Sequence, residues 1–337
     1  MGGLALKNTV TRRYERKEYE KAKAEIFAVL GKTFKKFDTP RHFESKESFG
    51  DIDIIVSKEG LDFSETQHFD GTIYEYIKDT FKPNEIFVNG NAYSFNYDEL
   101  QVDIILVEAK DFDSNYHYLA FNDLGNFMGR IAQMFGIKYG QEGLWYVHEI
   151  KGQRVGKIMI SKDYPEIFEA LGLSYEQWEK GFDSLEEIFE YIVNSPFFDS
   201  KMYNLESLNK INRDRNAKRK SYMSFLEYIA ERYPNIEYEF EEKSEYLKYV
   251  MNRFPDAQID MNIKKLEYEF AQKAYIKSKI NGGIVMKEYG LEGKAIGIGM
   301  AKFKDFIQVE CGTDYDKFVL ETTQKELLHV FEVANEL

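Results

Sequence analysis

The first third of the chain alternates between helical and strand-like patterns of hydrophobic residues. Residues 14–34 predict one helix, because four apolar residues recur at helical spacing: Ile26, Val29, Leu30 and Phe34. Shorter patterns predict, in chain order, a strand at 51–56, a helix at 71–80, and strands at 85–88, 93–97 and 101–107. Asn89-Gly90 between two of these strands is a hairpin-turn signal. Residues 16–107 are therefore expected to form a small α/β unit with a mixed sheet.

Later in the chain the pattern becomes mainly helical. A helix is predicted at 119–137, and a second hairpin at 144–150 and 154–160. From residue 165 onward, helical spacing predominates at 165–172, 175–180, 184–194, 217–232, 241–253, 257–280, 294–306 and 314–335. The chain is therefore predicted to be an α+β protein with two domains: residues 1–162, which contain the mixed sheet, and residues 163–337, a mainly helical body.

Composition restricts the class of protein. Hydrophobic residues make up 43% and charged residues 31%, which predicts a globular fold. No segment approaches the ~18 uncharged apolar residues of a membrane helix, and no signal-peptide core follows the N-terminus. The single cysteine, Cys311, excludes an internal disulfide and a Cys-built zinc site. We therefore expect a cytoplasmic protein that does not bind membranes.

The charge balance narrows the expected partners. A net charge of −13 argues against a broadly basic nucleic-acid coat, although it permits a local basic groove. The 27 Phe and 24 Tyr against 6 Pro suit an AT-rich genome, such as that of a phage. A phage protein would act in the host cytoplasm.

Three aspartates carry the clearest chemical signal. Asp51 and Asp53 project to the same face of their predicted strand, because side chains alternate with period two. Two carboxylates this close repel each other unless a cation lies between them, and hard oxygen ligands suit Mg²⁺. Asp103 is the only acid in a later aliphatic strand, where an unpaired charge is costly. The three acids therefore predict a site for Mg²⁺ or Mn²⁺.

The Asp-x-Asp pair has an ordinary alternative interpretation. Acids at alternate positions often mark the solvent-exposed face of a strand, and the pair alone favours that reading. Ser48-Phe49-Gly50 directly before the pair, together with Asp103, favours the catalytic interpretation instead.

With these residues the sequence resembles the nucleotidyltransferases of the DNA polymerase β superfamily, which include poly(A) polymerases and CCA-adding enzymes. The family carries a Gly-Ser motif, then Asp-x-Asp, then a third Asp on another strand. Gly50-Asp51-Ile52-Asp53 and Asp103 match, whereas the segment from Phe43 has no glycine until Gly50. The segments Asn122–Asn126 and Gly129–Ala132 are similar to uncharacterised nucleotidyltransferases of phages and large viruses.

The resemblance implies a polymerase β-like palm and a two-metal mechanism. One Mg²⁺, bridged by Asp51, Asp53 and Asp103, would activate an attacking hydroxyl, and a second, held by Asp51 and Asp53, would bind a nucleoside triphosphate such as ATP. In place of the Gly-Ser motif, a set of residues before the first aspartate would contact the nucleotide: Ser45, Lys46, Ser48, Phe49 and Gly50.

A basic segment at 209–220 stands out in this acidic chain. It contains six cations: Lys210, Arg213, Arg215, Lys218, Arg219 and Lys220. They are expected to bind the triphosphate or an RNA strand, and the alternative is a solvated helix start. Tyr222 and Phe225 next to it are expected in the core rather than stacked on a base. The glycines of 290–297 resemble a helix junction of CCA-adding enzymes, but helix caps are the favoured interpretation.

The predicted function is transfer of a nucleoside monophosphate from a triphosphate to an acceptor hydroxyl, with an RNA 3′ end, tRNA-like, as the first choice of acceptor. One alternative is modification of a protein or a small molecule. Another is a non-catalytic nucleotide-binding protein of a phage or virion. The oligomeric state does not follow from the sequence.

Overall fold

The computed structural model describes residues 3, 5–59 and 72–337. Its first elements are β1 (Tyr14–Glu15), α1 (Arg16–Leu30), β2 (Phe37–Asp38), β3 (Ser48–Phe49), β4 (Asp51–Ser57), α2 (Ile73–Phe81), β5 (Ile86–Asn89), β6 (Ala92–Tyr97) and β7 (Leu100–Val107). The next are α3 (Phe112–Leu119), α4 (Leu124–Met134), β8 (Ile137–Gly140), β9 (Gly143–Ile150) and β10 (Gln153–Ser161).

The remaining elements are helices. They are α5 (Tyr164–Ala170), α6 (Tyr175–Lys180), α7 (Leu185–Val193), α8 (Lys210–Asn216), α9 (Lys220–Arg232), α10 (Lys243–Arg253), α11 (Ile259–Lys279), α12 (Gly282–Tyr289), α13 (Lys294–Val309), α14 (Tyr315–Glu321) and α15 (Gln324–Asn335). Within the described ranges, no helix is long and apolar enough to span a membrane.

A five-stranded sheet holds the candidate site. Its strand order is β2-β4-β7-β6-β5, in which β4 and β7 are parallel and the other neighbours are antiparallel. The predicted α+β class with a mixed sheet is therefore confirmed. The helix predicted at 71–80 is α2, although residue 71 lies outside the described residues.

The two faces of the sheet differ. On one face, Ile52 and Ile54 of β4 and Val102 of β7 are buried against apolar residues of α1 and α2. On the other face, Ile55 and Ile105 pack with Phe112 at the start of α3. Period-two alternation puts the three predicted acids on this second face, before the apolar cluster begins.

Two predicted helices prove to be divided. The helix expected at 119–137 is wrong as a single element: α3 ends, and α4 begins after Phe121 and Asn122, whose φ angles are 56° and 62°. The Phe121 amide donates to the Arg41 carbonyl at 2.6 Å, which takes it out of any helical ladder. The helix expected at 314–335 is split because Thr323 and Glu326 form a capping box that starts α15. Sequence patterns also missed β8, α8 and α12.

The chain divides into two compact units. One comprises Met1–Val147 and Lys157–Ile259, and the other comprises His148–Gly156 and Asp260–Leu337. The second unit has its own apolar core, which includes Val285, Phe303 and Phe331. The predicted boundary near residue 162 does not coincide with this division, because the segment after it bonds to the sheet-bearing part. Arg41, for example, donates to the Trp178 and Glu179 carbonyls at 2.9 and 2.8 Å.

Candidate metal centre

Strand register brings the three predicted acids together. β4 and β7 run parallel with Asp53 directly opposite Asp103, and Asp51 lies two residues earlier on the same face. Each of the three side chains offers an oxygen within 4.8 Å of the others. The structure thus forms one cluster of three carboxylates from two neighbouring strands.

The cluster is electrostatically unfavourable when all three carboxyl groups are ionised and no cation is bound. Burial, followed by the charges of Asp51 and Asp103, raises the pKa of Asp53 well above its ordinary value. Burial also raises the pKa of Asp51, and it raises that of Asp103 to about 6. Shared protons or a bound cation would relieve this repulsion. A set of hard oxygen donors gathered in this way fits a divalent cation such as Mg²⁺ or Mn²⁺.

Hydrogen bonds from neutral groups hold two of the acids. The amide of Gln101 donates to both carboxylate oxygens of Asp103 at 3.0 Å, and Ser94 also hydrogen-bonds to Asp103. The backbone N–H of Gly3 donates to Oδ2 of Asp51 at 3.0 Å. Gln101 and Ser94 were missed from the sequence. Strand alternation and the register of β6 against β7 would have pointed to both, since Ser94 lies opposite Asp103.

Two of the three acids, Asp51 and Asp53, line a cleft within the first compact unit. The residues that line the cleft are Tyr19, Thr39, Pro40, Arg41, His42, Lys46, Phe49, Asp51, Asp53, Leu119, Asn122 and Arg219. Two cations, Lys46 and Arg219, had been predicted as site residues. Burial lowers the pKa of Lys46, whereas the charges of Asp51 and Asp53 oppose this shift. The cleft thus combines a carboxylate cluster with basic groups.

The rest of the loop before the acids is used structurally. Ser45 is exposed, and its N–H donates to the Asp183 carbonyl at 2.8 Å. The Glu44 N–H donates to the Phe182 carbonyl at 2.9 Å. These backbone donors therefore already have partners, and Ser45 does not line the cleft. Of this predicted loop, Lys46 and Phe49 reach the cleft.

Ser48 and Gly50 complete the predicted nucleotide-binding set, and neither lines the cleft. The Ser48 hydroxyl accepts from Nε of Arg13 at 3.1 Å, and the Ser48 carbonyl accepts from the same guanidinium at 2.6 Å. Gly50 is buried. Ser48 thus joins β3 to the segment before α1.

Only one of the six predicted basic-segment cations lines the cleft. That residue is Arg219, whose guanidinium pairs with the buried Asp123. The other five are exposed, and within the described residues none forms an ion pair: Lys210, Arg213, Arg215, Lys218 and Lys220. With the exposed Asp214 as the one acid among them, these five define the basic surface of α8 and the residues that lead into α9.

A polar network fixes this basic segment. Asp123 accepts hydrogen bonds from Arg219 and from the Ser221 hydroxyl, and Asn126 donates to Asn216 at 3.2 Å. Gly125 permits the close approach of the preceding helix, since an added Cβ would lie 2.2 Å from the Tyr118 carbonyl oxygen. The segment 122–126, singled out by resemblance, thus anchors the start of α9.

Two other expectations are confirmed as structural. Tyr222 and Phe225 are fully buried, and both rings pack against Phe127. Gly290 ends α12 with a φ of 67°, and Gly293 precedes α13 with a φ of 55°. The aromatic pair is thus in the core, and the glycines cap helices.

The chain matches no known protein-family model, and no curated protein shows significant similarity to it. The interpretation of the site therefore depends on its geometry and chemistry.

Proposed function

We propose that the protein is a divalent-metal-dependent nucleotidyltransferase with a polymerase β-like palm. The observation that carries this proposal is the convergence of Asp51, Asp53 and Asp103 from two parallel strands. Asp51 and Asp53 line a cleft that is also lined by Lys46 and Arg219. Two-metal nucleotidyl transfer requires such a carboxylate set, and cations suit the negative charge of a triphosphate.

The proposed reaction joins a nucleoside monophosphate to an acceptor. The acceptor oxygen forms a bond to the α-phosphorus, the bond from that phosphorus to the β-phosphate oxygen breaks, and pyrophosphate leaves. The hydroxyl proton passes to solvent or to a carboxylate. Mg²⁺ or Mn²⁺ held by the three aspartates supplies activation of the hydroxyl and neutralisation of phosphate charge. Lys46 and Arg219 would bind phosphate oxygens of the triphosphate.

The basic surface on α8 and at the start of α9 supports RNA as the acceptor. Its five unpaired cations contrast with a chain of net charge −13, and the Asp123 pair fixes the segment that carries them. A phosphate backbone would gain counterion-release energy from such a surface. We therefore place an RNA 3′ end first among acceptors.

One observation favours a second candidate, a non-catalytic protein that binds a nucleotide but does not hold its triphosphate in position for transfer. The backbone donors of Glu44 and Ser45 are occupied, so this loop offers fewer groups to a triphosphate than a phosphate-binding loop requires. The occupied donors affect triphosphate binding and leave the carboxylate cluster intact.

The test is a transfer assay with each of four α-³²P-labelled nucleoside triphosphates, Mg²⁺ or Mn²⁺, and total bacterial RNA. We expect label to enter RNA with the intact protein and not with the Asp51→Ala/Asp53→Ala variant. Label in protein or in small molecules would move the acceptor to another class. Nucleotide binding without transfer under any of these conditions would favour the second candidate.

A further inference from the structure

An N-terminal strap, residues 3 and 5–12, contacts both ends of the carboxylate cluster. The Gly3 N–H donates to Asp51, and the Ala5 N–H donates at 2.9 Å to the side-chain oxygen of Gln101. The amide nitrogen of the same Gln101 donates to both oxygens of Asp103. One chain segment therefore bonds to one metal-ligand candidate directly and to another through a single side chain.

The strap is anchored away from the acids as well. The N–H groups of Lys7 and Asn8 donate to the two carboxylate oxygens of Glu85, at 3.0 and 2.8 Å. The Thr11 hydroxyl donates to the Gly3 carbonyl at 3.1 Å, which closes the strap on itself. The Arg12 N–H donates to the Glu99 carbonyl at 2.8 Å. These bonds fix the position of Gly3 beside Asp51.

Two residues are specifically suited to this arrangement. Gly3 has a φ of 81°, and a Cβ there would lie 2.3 Å from the Gly50 carbonyl oxygen, so alanine cannot occupy this position without moving the strap. Gln101 is buried, and both ends of its amide are used, because its oxygen accepts while its nitrogen donates. A carboxylate or an apolar side chain could not make both sets of bonds.

We propose that Gly3 and Gln101 are positioning residues through which the strap orients Asp51 and Asp103 for divalent-cation binding. Partners that fix the orientation of ligands in this way change metal affinity although they touch no metal. The proposal rests on the metal centre of the proposed function, and it assigns the strap a role in building that centre.

The experiment measures binding of Mn²⁺ alone, by electron paramagnetic resonance of the free ion, without nucleotide. Gly3→Ala and Gln101→Met are each expected to weaken binding by about 10–100-fold. The matched control is Gly90→Ala. Gly90 also has a positive φ, 62°, but has no neighbour within 4 Å of an added Cβ, so it reports the backbone cost alone.

A third variant tests transmission along the strap. Glu85→Ala removes the anchor of Lys7 and Asn8, and it is expected to weaken Mn²⁺ binding by a smaller factor than Gly3→Ala. Thermal melting of each variant in EDTA shows whether the fold is retained, so that unfolding is not mistaken for a specific loss of Mn²⁺ binding.

Different outcomes test the role of the strap and the metal centre. Mn²⁺ affinity unchanged in both Gly3→Ala and Gln101→Met, with binding still abolished in Asp53→Asn, would overturn the role of the strap and leave the metal centre standing. Absence of Mn²⁺ binding in the intact protein, or equal binding in Asp53→Asn, would overturn the metal centre and the proposed function together.

Discussion

The acidic and the basic sides of the cleft arise in different ways. Asp51, Asp53 and Asp103 lie on two neighbouring strands, where alternation and register fix their common face. Lys46 belongs to a loop, and Arg219 precedes a helix some 170 positions later in the chain, held there by Asp123. The acids are therefore placed by regular backbone geometry, whereas each cation depends on contacts particular to this fold.

The largest expected effect tests the acidic side. Asp53→Asn removes one negative oxygen from the centre of the cluster, opposite Asp103, and is expected to reduce nucleotide transfer to background. The assay is label incorporation at saturating Mg²⁺. The control is Asp79→Asn, which makes the same change at an exposed position on α2 and should retain full activity. Equal activity of the two variants would show that the carboxylate cluster is not catalytic.

The next effect separates the two neighbours on the loop. Lys46→Ala is expected to raise the KM for the triphosphate by about 10–100-fold, because a charged hydrogen bond contributes about 1.5–3 kcal/mol. Ser45→Ala should change the binding free energy of the triphosphate, as measured through KM, by no more than about 0.5 kcal/mol. The Ser45 side chain is exposed and lies outside the cleft. A larger rise in KM for Ser45→Ala than for Lys46→Ala would support the prediction that Ser45 binds the phosphates.

These two sides also show how much of the site the sequence predicts. Period-two spacing identified Asp51 and Asp53, because a strand has only two faces. Asp103 was identified as the only acid of an aliphatic strand, where a charge is costly. The resemblance to the nucleotidyltransferase family added Ser45 and Ser48, whose surroundings depend on hydrogen bonds to Asp183 and Arg13. Such contacts join distant parts of the chain, so no local pattern reveals them.

The fold shows a similar division. Strands and long helices with a clear apolar period were predicted, whereas the break at Phe121–Asn122 was not. That break depends on the bond from the Phe121 amide to the Arg41 carbonyl, which belongs to another part of the chain. The break also brings Asn122 into the cleft and Asp123 to Arg219. The irregular turn at Phe121–Asn122 thus helps to position Arg219 on the basic side of the cleft.

A smaller effect tests the exposed part of the basic side. Neutralising Arg213 and Arg215 together is expected to lower the slope of log K against log [salt] for single-stranded RNA by about 1.4, since each phosphate contact contributes about 0.7. Lys265→Ala/Lys273→Ala on α11 makes the same charge change at exposed positions and should leave the slope unchanged. Equal slopes in all three proteins would remove RNA from the proposed acceptors. Fluorescence anisotropy at several salt concentrations measures this slope.

The smallest effect concerns stability without metal. A carboxyl whose folded-state pKa lies above its unfolded value binds its proton more tightly in the folded protein, so it favours folding at low pH, and this contribution is lost as pH rises through the folded pKa. For Asp103 that loss falls between about pH 4, near the unfolded pKa, and pH 6. In EDTA the melting temperature should therefore fall across this range, and Mg²⁺ or Mn²⁺ should restore it at neutral pH.

Asp53→Asn, which removes a charge that the cluster repels, should melt higher than the intact protein at pH 8 in EDTA and gain nothing from metal. A lower melting temperature for this variant in EDTA would contradict the mutual repulsion of the three carboxylates.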